Sequence, residues 1–327
     1  MVRPRSFVSR QIFAEALELI ATEADAEVWP EELPPSRDVL LEKVRGIDGL
    51  LCLLTDKVDA ELMDAAGPQL KVISQIAVGF DNIDVPEATR RGIPVGNTPE
   101  VLTKTTADAA FALLMAAARR IVEGSRAVHE GKWRTWHPLH YLGQDVYGST
   151  LGIIGMGRIG VEVAKRGYGF DMEVLYSDIA RREDLEAQYP MTYVDQETLL
   201  RQSDFVSLHT VLDEATYHLI GDAQLAMMKP TAVLVNASRG PIIDPKALYR
   251  ALRDGVIAAA ALDVTEPEPI HMDDPLLTLD NCVIVPHLAS ASVRTRAEMS
   301  RIAAQNLVNG LIGDRLITCV NPEVYGG

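Results

Sequence analysis

The chain has 327 residues, of which 47% are hydrophobic and 24% are charged, as is usual for a soluble globular protein of about two domains. Its formal net charge of -15 argues against a nucleic-acid backbone or an anionic membrane as a partner. No apolar run approaches the roughly 18 residues of a membrane span. Three scattered cysteines, Cys52, Cys282 and Cys319, predict neither a disulfide framework nor a metal site, so we expect reduced thiols and a cytoplasmic protein.

The N-terminal part alternates between short apolar strands and helical segments. Strands are predicted at residues 7–9, 50–54, 72–77 and 94–96, with helices at 11–21 and 59–66. Such alternation is typical of an α/β unit with a parallel sheet. This unit lacks a glycine-rich phosphate loop, so we expect it to bind substrate rather than a nucleotide.

An alanine-rich helix is predicted over residues 106–121, and it has almost no polar face. A helix that is apolar all round must be buried all round. Burial against a second subunit is one solution, and two-fold symmetry is its commonest form. Burial within one subunit, between the two units, is the alternative. We expect a homodimer.

A glycine-rich turn follows the next predicted strand, residues 151–155. The sequence there is Gly155-Met-Gly157-Arg-Ile-Gly160, a helical pattern follows, and Asp178 ends the next apolar run. In this layout the first glycine allows a tight turn, the second admits a pyrophosphate and the third lets helix and strand pack closely. The free N–H groups of the helix N-terminus bind the phosphates, and the acid accepts a ribose hydroxyl. The pattern predicts a dinucleotide-binding site.

Further strands are predicted at residues 174–178, 205–209, 232–237, 258–264 and 282–286, with helices between them such as Pro245–Arg253. A last helix, 292–311, ends at Gly313 and would return the chain to the first unit. The predicted fold class is therefore α/β, with two doubly wound parallel-sheet domains. The larger, residues 99–288, is a Rossmann dinucleotide-binding domain. Residues 1–98 with 289–327 form the substrate-binding domain.

Three polar side chains, Arg239, Glu268 and His287, follow three of these strands. Ligands of open parallel sheets bind beyond the carboxyl ends of the strands, so the three residues can share one crevice. Arginine offers a planar fork for carboxylate and keto oxygens, and histidine can give or take a proton near neutral pH. A nearby glutamate would favour the imidazolium. Each residue alone is more often structural, but together they predict reduction of a 2-keto acid by a nicotinamide.

Five motifs make the chain resemble the D-2-hydroxyacid dehydrogenase family, and within it the glyoxylate/hydroxypyruvate reductases. They are Lys71-Val-Ile-Ser-Gln-Ile-Ala-Val-Gly-Phe-Asp-Asn-Ile-Asp, Gly155-Met-Gly-Arg-Ile-Gly, Asn236-Ala-Ser-Arg-Gly, Ala261-Leu-Asp-Val-Thr-Glu-Pro-Glu-Pro and Pro286-His-Leu-Ala-Ser-Ala. The resemblance covers nearly the whole chain. It implies that Arg239 clamps the substrate, that Glu268 rather than Glu266 is the catalytic glutamate, and that His287 is the general acid/base.

The resemblance also implies a set of binding residues. Substrate is expected to contact Leu54, Val78, Gly79, Arg239 and Trp136, with backbone N–H groups of Val78 and Gly79 on its carboxylate. The cofactor is expected to contact Gly155, Gly157, Arg158, Ile159, Gly160, Asp178, Thr210, Ala237, Ser238, Arg239, Asp263, His287 and Ala289, with the carboxamide of the nicotinamide on Asp263. No metal is expected. The family's usual dimer agrees with the argument from the alanine-rich helix.

Asp178 decides the expected cofactor. A carboxylate repels the 2′-phosphate of NADP(H) and accepts the 2′-hydroxyl of NAD(H), so we expect NAD(H). Arg181 and Arg182 lie close by in sequence and leave NADP(H) possible.

The expected substrate is glyoxylate or hydroxypyruvate. The turn at Leu54 carries no arginine and we expect no regulatory domain after Asn321, and both points disfavour 3-phosphoglycerate. Trp136 matches an aromatic residue that reaches the neighbouring subunit's pocket in some such reductases. Two alternatives stay open: a dinucleotide-sensing corepressor that binds peptides, and a dehydrogenase of the same family for another substrate.

Overall fold

The computed structural model describes residues 3–326, which contain two parallel sheets with helices between their strands. The strands are β1 (Arg5–Val8), β2 (Asp25–Val28), β3 (Gly49–Cys52), β4 (Val72–Gln75), β5 (Val95–Gly96), β6 (Thr150–Ile154), β7 (Glu173–Ser177), β8 (Met191–Tyr193), β9 (Phe205–Leu208), β10 (Val233–Asn236), β11 (Ala259–Leu262) and β12 (Cys282–Ile284). The helices are α1 (Ala14–Glu23), α2 (Arg37–Lys43), α3 (Ala60–Ala66), α4 (Val85–Arg90), α5 (Thr103–Ala118), α6 (Ile121–His129), α7 (Arg158–Tyr168), α8 (Glu183–Glu186), α9 (Gln196–Gln202), α10 (Asp222–Met227), α11 (Pro245–Arg253) and α12 (Val293–Ile312).

The chain packs as two compact units. One holds the described residues up to Leu102 and from Ala291 onward, and the other holds Thr103–Ser290. The boundaries predicted from sequence, after residues 98 and 288, fall slightly earlier. The first predicted boundary lies at Pro99, whereas the larger unit begins with α5 at Thr103.

The larger unit has a seven-stranded parallel sheet in the order β12-β11-β10-β9-β6-β7-β8. Numbered from its own first strand, this order is 3-2-1-4-5-6-7 read from the β8 edge, and it contains the order 3-2-1-4-5-6 of dinucleotide-binding folds. The strand order reverses between β6 and β9. The crevice beyond the carboxyl ends of these two strands is therefore where such a sheet binds its ligand.

The smaller unit has a five-stranded parallel sheet in the order β2-β1-β3-β4-β5. This is the other common doubly wound order, and its reversal lies between β1 and β3. Helix α12 packs against α1, β3 and β4 in this unit. The predicted fold class of two doubly wound parallel-sheet domains is confirmed.

Local sequence accounts for the best-defined helices. Helix α11 spans Pro245–Arg253 as predicted, because Asp244 accepts hydrogen bonds from the first turn and Pro245 suits its first position. Helix α12 begins after the capping residue Ser292 and ends at Gly313, whose φ of 87° is left-handed. The two central strands β9 and β10 are buried throughout, which explains why they read as unbroken apolar runs.

The alanine-rich helix differs from its prediction in bounds and in burial. Helix α5 covers Thr103–Ala118, and Arg120, with a left-handed φ of 52°, separates it from α6, so Ile121 belongs to the next helix. Helix α5 packs on α7, β10 and β11 of its own unit. Most of its apolar side chains are thereby buried without a second subunit, and its exposed stripe includes Asp108 and Ala112.

The cysteines are unbridged, with Cys52 buried and the other two half-buried. Among residues 3–326, no helix combines the length and apolar character needed to cross a bilayer. Over the same residues, no group of three or more His, Cys, Asp or Glu side chains has an arrangement that could hold a metal ion.

Candidate active site

The glycine-rich turn between β6 and α7 uses its three glycines for three different physical reasons. Gly155 has a φ of 94°, and a Cβ there would lie 2.6 Å from the backbone of His209. A Cβ on Gly160 would lie 2.3 Å from the carbonyl oxygen of Gly155, so the helix and the turn touch there. Gly157 faces open space and precedes α7 without a side-chain cap. Arg158 is the first residue of α7, and the N–H groups at the start of a helix that lacks a side-chain cap can bind an anion.

Asp178 follows β7 and faces this turn. Its Oδ2 accepts a hydrogen bond from Met156 N at 2.6 Å, and its Oδ1 accepts one from Ile179 N at 2.7 Å. Each carboxylate oxygen keeps capacity for a further donor such as a ribose hydroxyl. Arg182 also reaches the turn, donating to Met156 O at 3.1 Å while paired with Asp184 at 2.8 Å.

His287 and Glu268 form a close pair. His287 Nδ1 lies 2.6 Å from Glu268 Oε1, and the side chains are 26% and 34% exposed. The carboxylate thus orients the ring through Nδ1, and Nε2 is the nitrogen that we expect to exchange a proton with a ligand. Glu266, two residues earlier, does not pair with His287 but with His218. Of the two glutamates, Glu268 is therefore the one that lies against His287, and its catalytic role stays a prediction.

The turn that carries His287 is held by Asp263. Asp263 is 1% exposed, and its two carboxylate oxygens accept hydrogen bonds from Leu288 N at 2.7 Å and Ala289 N at 3.0 Å. Burial raises the pKa of Asp263 above its ordinary value, against the lowering effect of these two donors. His287 has a left-handed φ of 48°, a strained backbone that the surrounding structure must enforce. Asp263 therefore holds the turn that positions His287, in addition to the contact with the cofactor that we expect of it.

The turn that carries Arg239 is built by Asn236 at the end of β10. Asn236 is fully buried; its Oδ1 accepts hydrogen bonds from Ser238 N and Oγ, and its Nδ2 donates to Arg239 O at 2.8 Å. Arg239 Nη1 donates to Ser238 O at 2.9 Å, and the arginine side chain is half-buried. Ala237 is buried beneath this turn. Sequence reasoning gave Asn236 no role, although a buried amide ending an apolar strand is a signal for such a turn.

In the smaller unit, the loops around Leu54 and around Val78 are joined by one amide side chain. Asn82 Nδ2 lies 3.1 Å from Leu53 O, 2.8 Å from Asp56 O and 2.7 Å from Gln75 Oε1. The carbonyls of the second loop are also bound, since Asn97 donates to Val78 O and Gln75 to Gly79 O.

The N–H groups of Val78 and Gly79 have no hydrogen-bond partner anywhere in the described part of the chain. Two adjacent unpartnered N–H groups on a half-exposed loop are available to donate to a carboxylate.

Arg10 is a residue that the sequence analysis missed. It follows β1 at the reversal point of the smaller sheet, where its Nη2 lies 3.1 Å from Thr55 Oγ1 and its Nη1 lies 3.7 Å from Asp56 Oδ1. The Leu54 loop thus has an arginine beside it, contrary to the sequence analysis. This arginine forms an ion pair with Asp56 and donates a hydrogen bond to Ser9 O. Its function here is to fix the loop.

The remaining predicted residues are dispersed. Thr210 follows β9 next to His209, Ala289 is buried in the His287 turn, and Ile159 is half-buried in the first turn of α7. Trp136 is 78% exposed in a segment after α6 that has neither helix nor strand. The structure does not bring Trp136 to the other predicted residues of the larger unit.

His209 is a shielded histidine at the same sheet edge. Its Nε2 lies 2.8 Å from Ser207 Oγ, its Nδ1 has no partner among residues 3–326, and burial lowers its pKa from 6.5 to about 4. The unfolded chain therefore takes up this proton at a higher pH than the folded chain. The free energy of unfolding is therefore unaffected by this histidine above about pH 6.5, and it decreases as the pH falls from there towards 4.

We expect His209→Gln to reduce the acid sensitivity of the fold. Between pH 7 and about pH 4.5, the wild type should lose about 2 kcal/mol more in free energy of unfolding than the variant does. Urea unfolding at both pH values measures this difference. Equal losses in the two proteins would show that His209 does not titrate in this way.

Comparison with known proteins identifies the family. Residues 111–289 match the family described as D-isomer specific 2-hydroxyacid dehydrogenase, NAD binding domain. The chain is 56% identical to a glyoxylate reductase of Korarchaeum cryptofilum over 99% of its own length and 97% of the relative's. The chain belongs to the D-isomer specific 2-hydroxyacid dehydrogenase family.

Solved structures agree with this dehydrogenase family. A glyoxylate reductase from Paecilomyes thermophila superimposes with a TM-score of 0.87 at 34% identity, covering 99% of both chains. An NADPH-dependent glyoxylate/hydroxypyruvate reductase from Sinorhizobium meliloti, solved with NADP and malonate, gives 0.85 at 31% identity, covering 98% of both chains.

Membership in the dehydrogenase family confirms the resemblance stated from sequence. The chain is an NAD(P)-dependent oxidoreductase whose larger unit is the NAD-binding domain. This favours the enzyme over the alternative of a dinucleotide-sensing corepressor. The roles of the individual site residues remain predictions that rest on the geometry above.

Proposed function

We propose that this dehydrogenase uses NADH to reduce glyoxylate or hydroxypyruvate, with D-glycerate the product from hydroxypyruvate. The observation that carries the proposal is the His287–Glu268 pair, 2.6 Å apart, at the edge of the sheet that also bears the glycine turn and Arg239. The glyoxylate reductases among its relatives support the choice of substrate.

The residues at the glycine turn fit a dinucleotide. Open space at Gly157 and the uncapped start of α7 suit a pyrophosphate, and the carboxylate of Asp178 suits a ribose diol. Ala237, Ser238 and Asp263 follow neighbouring strands, where the nicotinamide end is expected. The bound cofactor supplies the hydride.

The chain's own residues supply the proton. The imidazolium of His287 donates from Nε2 to the keto oxygen as negative charge develops there. Glu268 stabilises the imidazolium through Nδ1 and keeps the ring in one orientation. The hydrogen bonds from Leu288 N and Ala289 N to the buried Asp263 hold the turn that carries this ring before substrate arrives.

Three groups bind the other end of the substrate. The guanidinium of Arg239 forms charge-assisted hydrogen bonds with the carboxylate and the keto oxygen. The unpartnered N–H groups of Val78 and Gly79 donate to the carboxylate. The side chain of Leu54, on the loop fixed by Arg10 and Asn82, limits the size of the group next to the keto carbon.

We further propose a homodimer formed through the segment that follows α5. A run of large apolar side chains there is exposed: Ile121, Val122, Val128, Trp133, Trp136, Leu139, Tyr141, Leu142 and Tyr147. So much exposed apolar surface in one segment is characteristic of an interface. In the dimer, Trp136 would extend into the partner's substrate pocket and restrict substrate size. We place the protein in the cytoplasm, where its three unbridged cysteines stay reduced.

A panel of 2-keto acids assayed separately with NADH and NADPH tests the proposal. We expect glyoxylate and hydroxypyruvate to be the best substrates and NADH to be preferred.

Asp178→Ser should weaken the binding of NADH by about tenfold to a hundredfold, because a charge-assisted hydrogen bond to the ribose is lost. The NADH-to-NADPH preference should fall accordingly, because the repulsion of the 2′-phosphate is lost as well.

The preference ratio is the informative quantity, since any loosening of the glycine turn affects both cofactors alike. Glu173→Ser is the matched control, because it removes an exposed carboxylate from the opposite end of β7. An Asp178 variant with an unchanged ratio would mean that Asp178 does not select the cofactor.

A further inference from the structure

A second glutamate–histidine pair joins the loop that carries Glu268 to the segment that contains His218. His218 Nε2 is 2.6 Å from Glu266 Oε2, the same separation as that between His287 Nδ1 and Glu268 Oε1. Tyr217 OH donates to the other oxygen, Glu266 Oε1, at 3.2 Å. The proposed reaction uses none of Tyr217, His218 or Glu266, so this pair needs another explanation.

The loop with both glutamates lies directly on the backbone next to Arg239. A Cβ on Gly240 would lie 1.9 Å from Thr265 O, so only glycine permits the contact. The segment with His218 is bound to the same backbone, since His218 N donates to Pro241 O at 2.8 Å. Three segments that are distant in sequence therefore meet around Gly240.

The Glu266 carboxylate joins the loop to the segment that contains Tyr217 and His218. The rings of Tyr217 and His218 stack with centroids 4.0 Å apart, and both present a polar atom to Glu266. The His218 and Glu266 side chains are 31% and 27% exposed, so water competes for them only in part. Thr265 Oγ1, directly before Glu266, donates to Pro267 O at 2.7 Å and stiffens the loop on either side of Glu266.

We propose that His218 and Glu266 are positioning residues that fix the loop bearing Glu268, so that its carboxylate stays against Nδ1 of His287. Glu268 needs such help because it lies on an exposed part of the loop, with no strand or helix around it. Holding it in place removes the entropic cost of bringing the carboxylate to the imidazolium in each turnover. This inference rests on the proposed function.

Two variants break the pair from its two sides, Glu266→Ala and His218→Gln. Each should lower kcat for glyoxylate roughly tenfold, as expected for a displaced catalytic group. The pH above which kcat falls should move lower, because the imidazolium of His287 is less well stabilised. NADH affinity, measured by fluorescence titration, should stay within about twofold of wild type. A role in folding alone would lower the melting temperature without moving the pH profile.

A double-mutant comparison decides whether Glu266 acts through Glu268. In a Glu268→Gln background, Glu266→Ala should change kcat by less than about twofold, because the group being positioned has already lost its charge. Asp222→Asn is the matched control, since it breaks a 2.6 Å ion pair with Arg250 elsewhere in the unit.

Two results would overturn the inference: the same fold-loss from Glu266→Ala in both backgrounds, or unchanged kcat and pH profile in both single variants. A wild type that reduces no keto acid would instead refute the proposed function itself, so the two failures are distinguishable.

Discussion

Replacing His287 with alanine is expected to lower kcat for glyoxylate about a hundredfold to ten-thousandfold, the usual contribution of a positioned general acid. The Glu268 carboxylate lies 2.6 Å from His287 Nδ1 and holds this imidazole in one orientation, with Nε2 as the atom proposed to donate the proton. NADH binding should survive, because the glycine turn and Asp178 belong to other strands. Steady-state kinetics and NADH fluorescence titration measure the two effects separately.

The control for this variant is His271→Ala. His271 is an exposed histidine shortly after Glu268 on the same connection, so its loss tests for general disturbance of the loop. It should leave kcat unchanged. Turnover of His287→Ala at or near the wild-type rate around neutral pH would remove His287 from the mechanism.

Replacing Arg239 with methionine should be nearly as damaging, but through binding as well as through turnover. Loss of a charge-assisted hydrogen-bonded partner costs roughly 2–5 kcal/mol, or about thirtyfold to several thousandfold in kcat/KM. We expect KM for glyoxylate to rise and kcat to fall, since the fork contacts both the carboxylate and the keto oxygen. Arg239→Lys should recover only part of the loss, because an ammonium lacks the planar fork.

Arg253→Met is the matched control, since Arg253 ends α11 on the surface, where it contacts its neighbour Asp254 and the Tyr249 ring. It should leave KM and kcat as they are. If Arg239→Met kept the wild-type KM, the carboxylate would have to be bound by other groups, with the N–H groups of Val78 and Gly79 the first to test.

Much of the fold could be predicted from sequence, and the candidate site could be proposed from it, because both depend on local signals. Buried parallel strands read as short apolar runs, and the predicted strands agree with β6, β7, β9, β10, β11 and β12 to within a few residues at each end. Parallel strands place all their carboxyl ends on one edge. Arg239, Glu268 and His287 could therefore be grouped without coordinates.

Three features of the fold could not be predicted, because no periodic or local sequence signal marks them. Strand β2, with the pattern Asp-Ala-Glu-Val at a sheet edge, is too polar to be recognised as a strand. The break between α5 and α6 depends on one left-handed residue, Arg120, in an otherwise continuous helical pattern. Burial of α5 by its own unit depends on tertiary packing that composition cannot specify.

The supporting contacts of the site were also beyond sequence reasoning. Arg10 meets Thr55, and His218 meets Glu266, across long stretches of intervening chain. Asp263 is expected to contact the cofactor, and the structure adds that both of its carboxylate oxygens accept hydrogen bonds from the His287 turn. Such contacts arise from topology, which brings loops of non-adjacent strands to the same edge.

The most direct test of the central claim is chiral analysis of the product formed from hydroxypyruvate and NADH. The account predicts D-glycerate alone, with one NADH oxidised for each molecule formed, and loss of this product in His287→Ala. L-glycerate as product, or no NADH oxidation that depends on the keto acid, would contradict it.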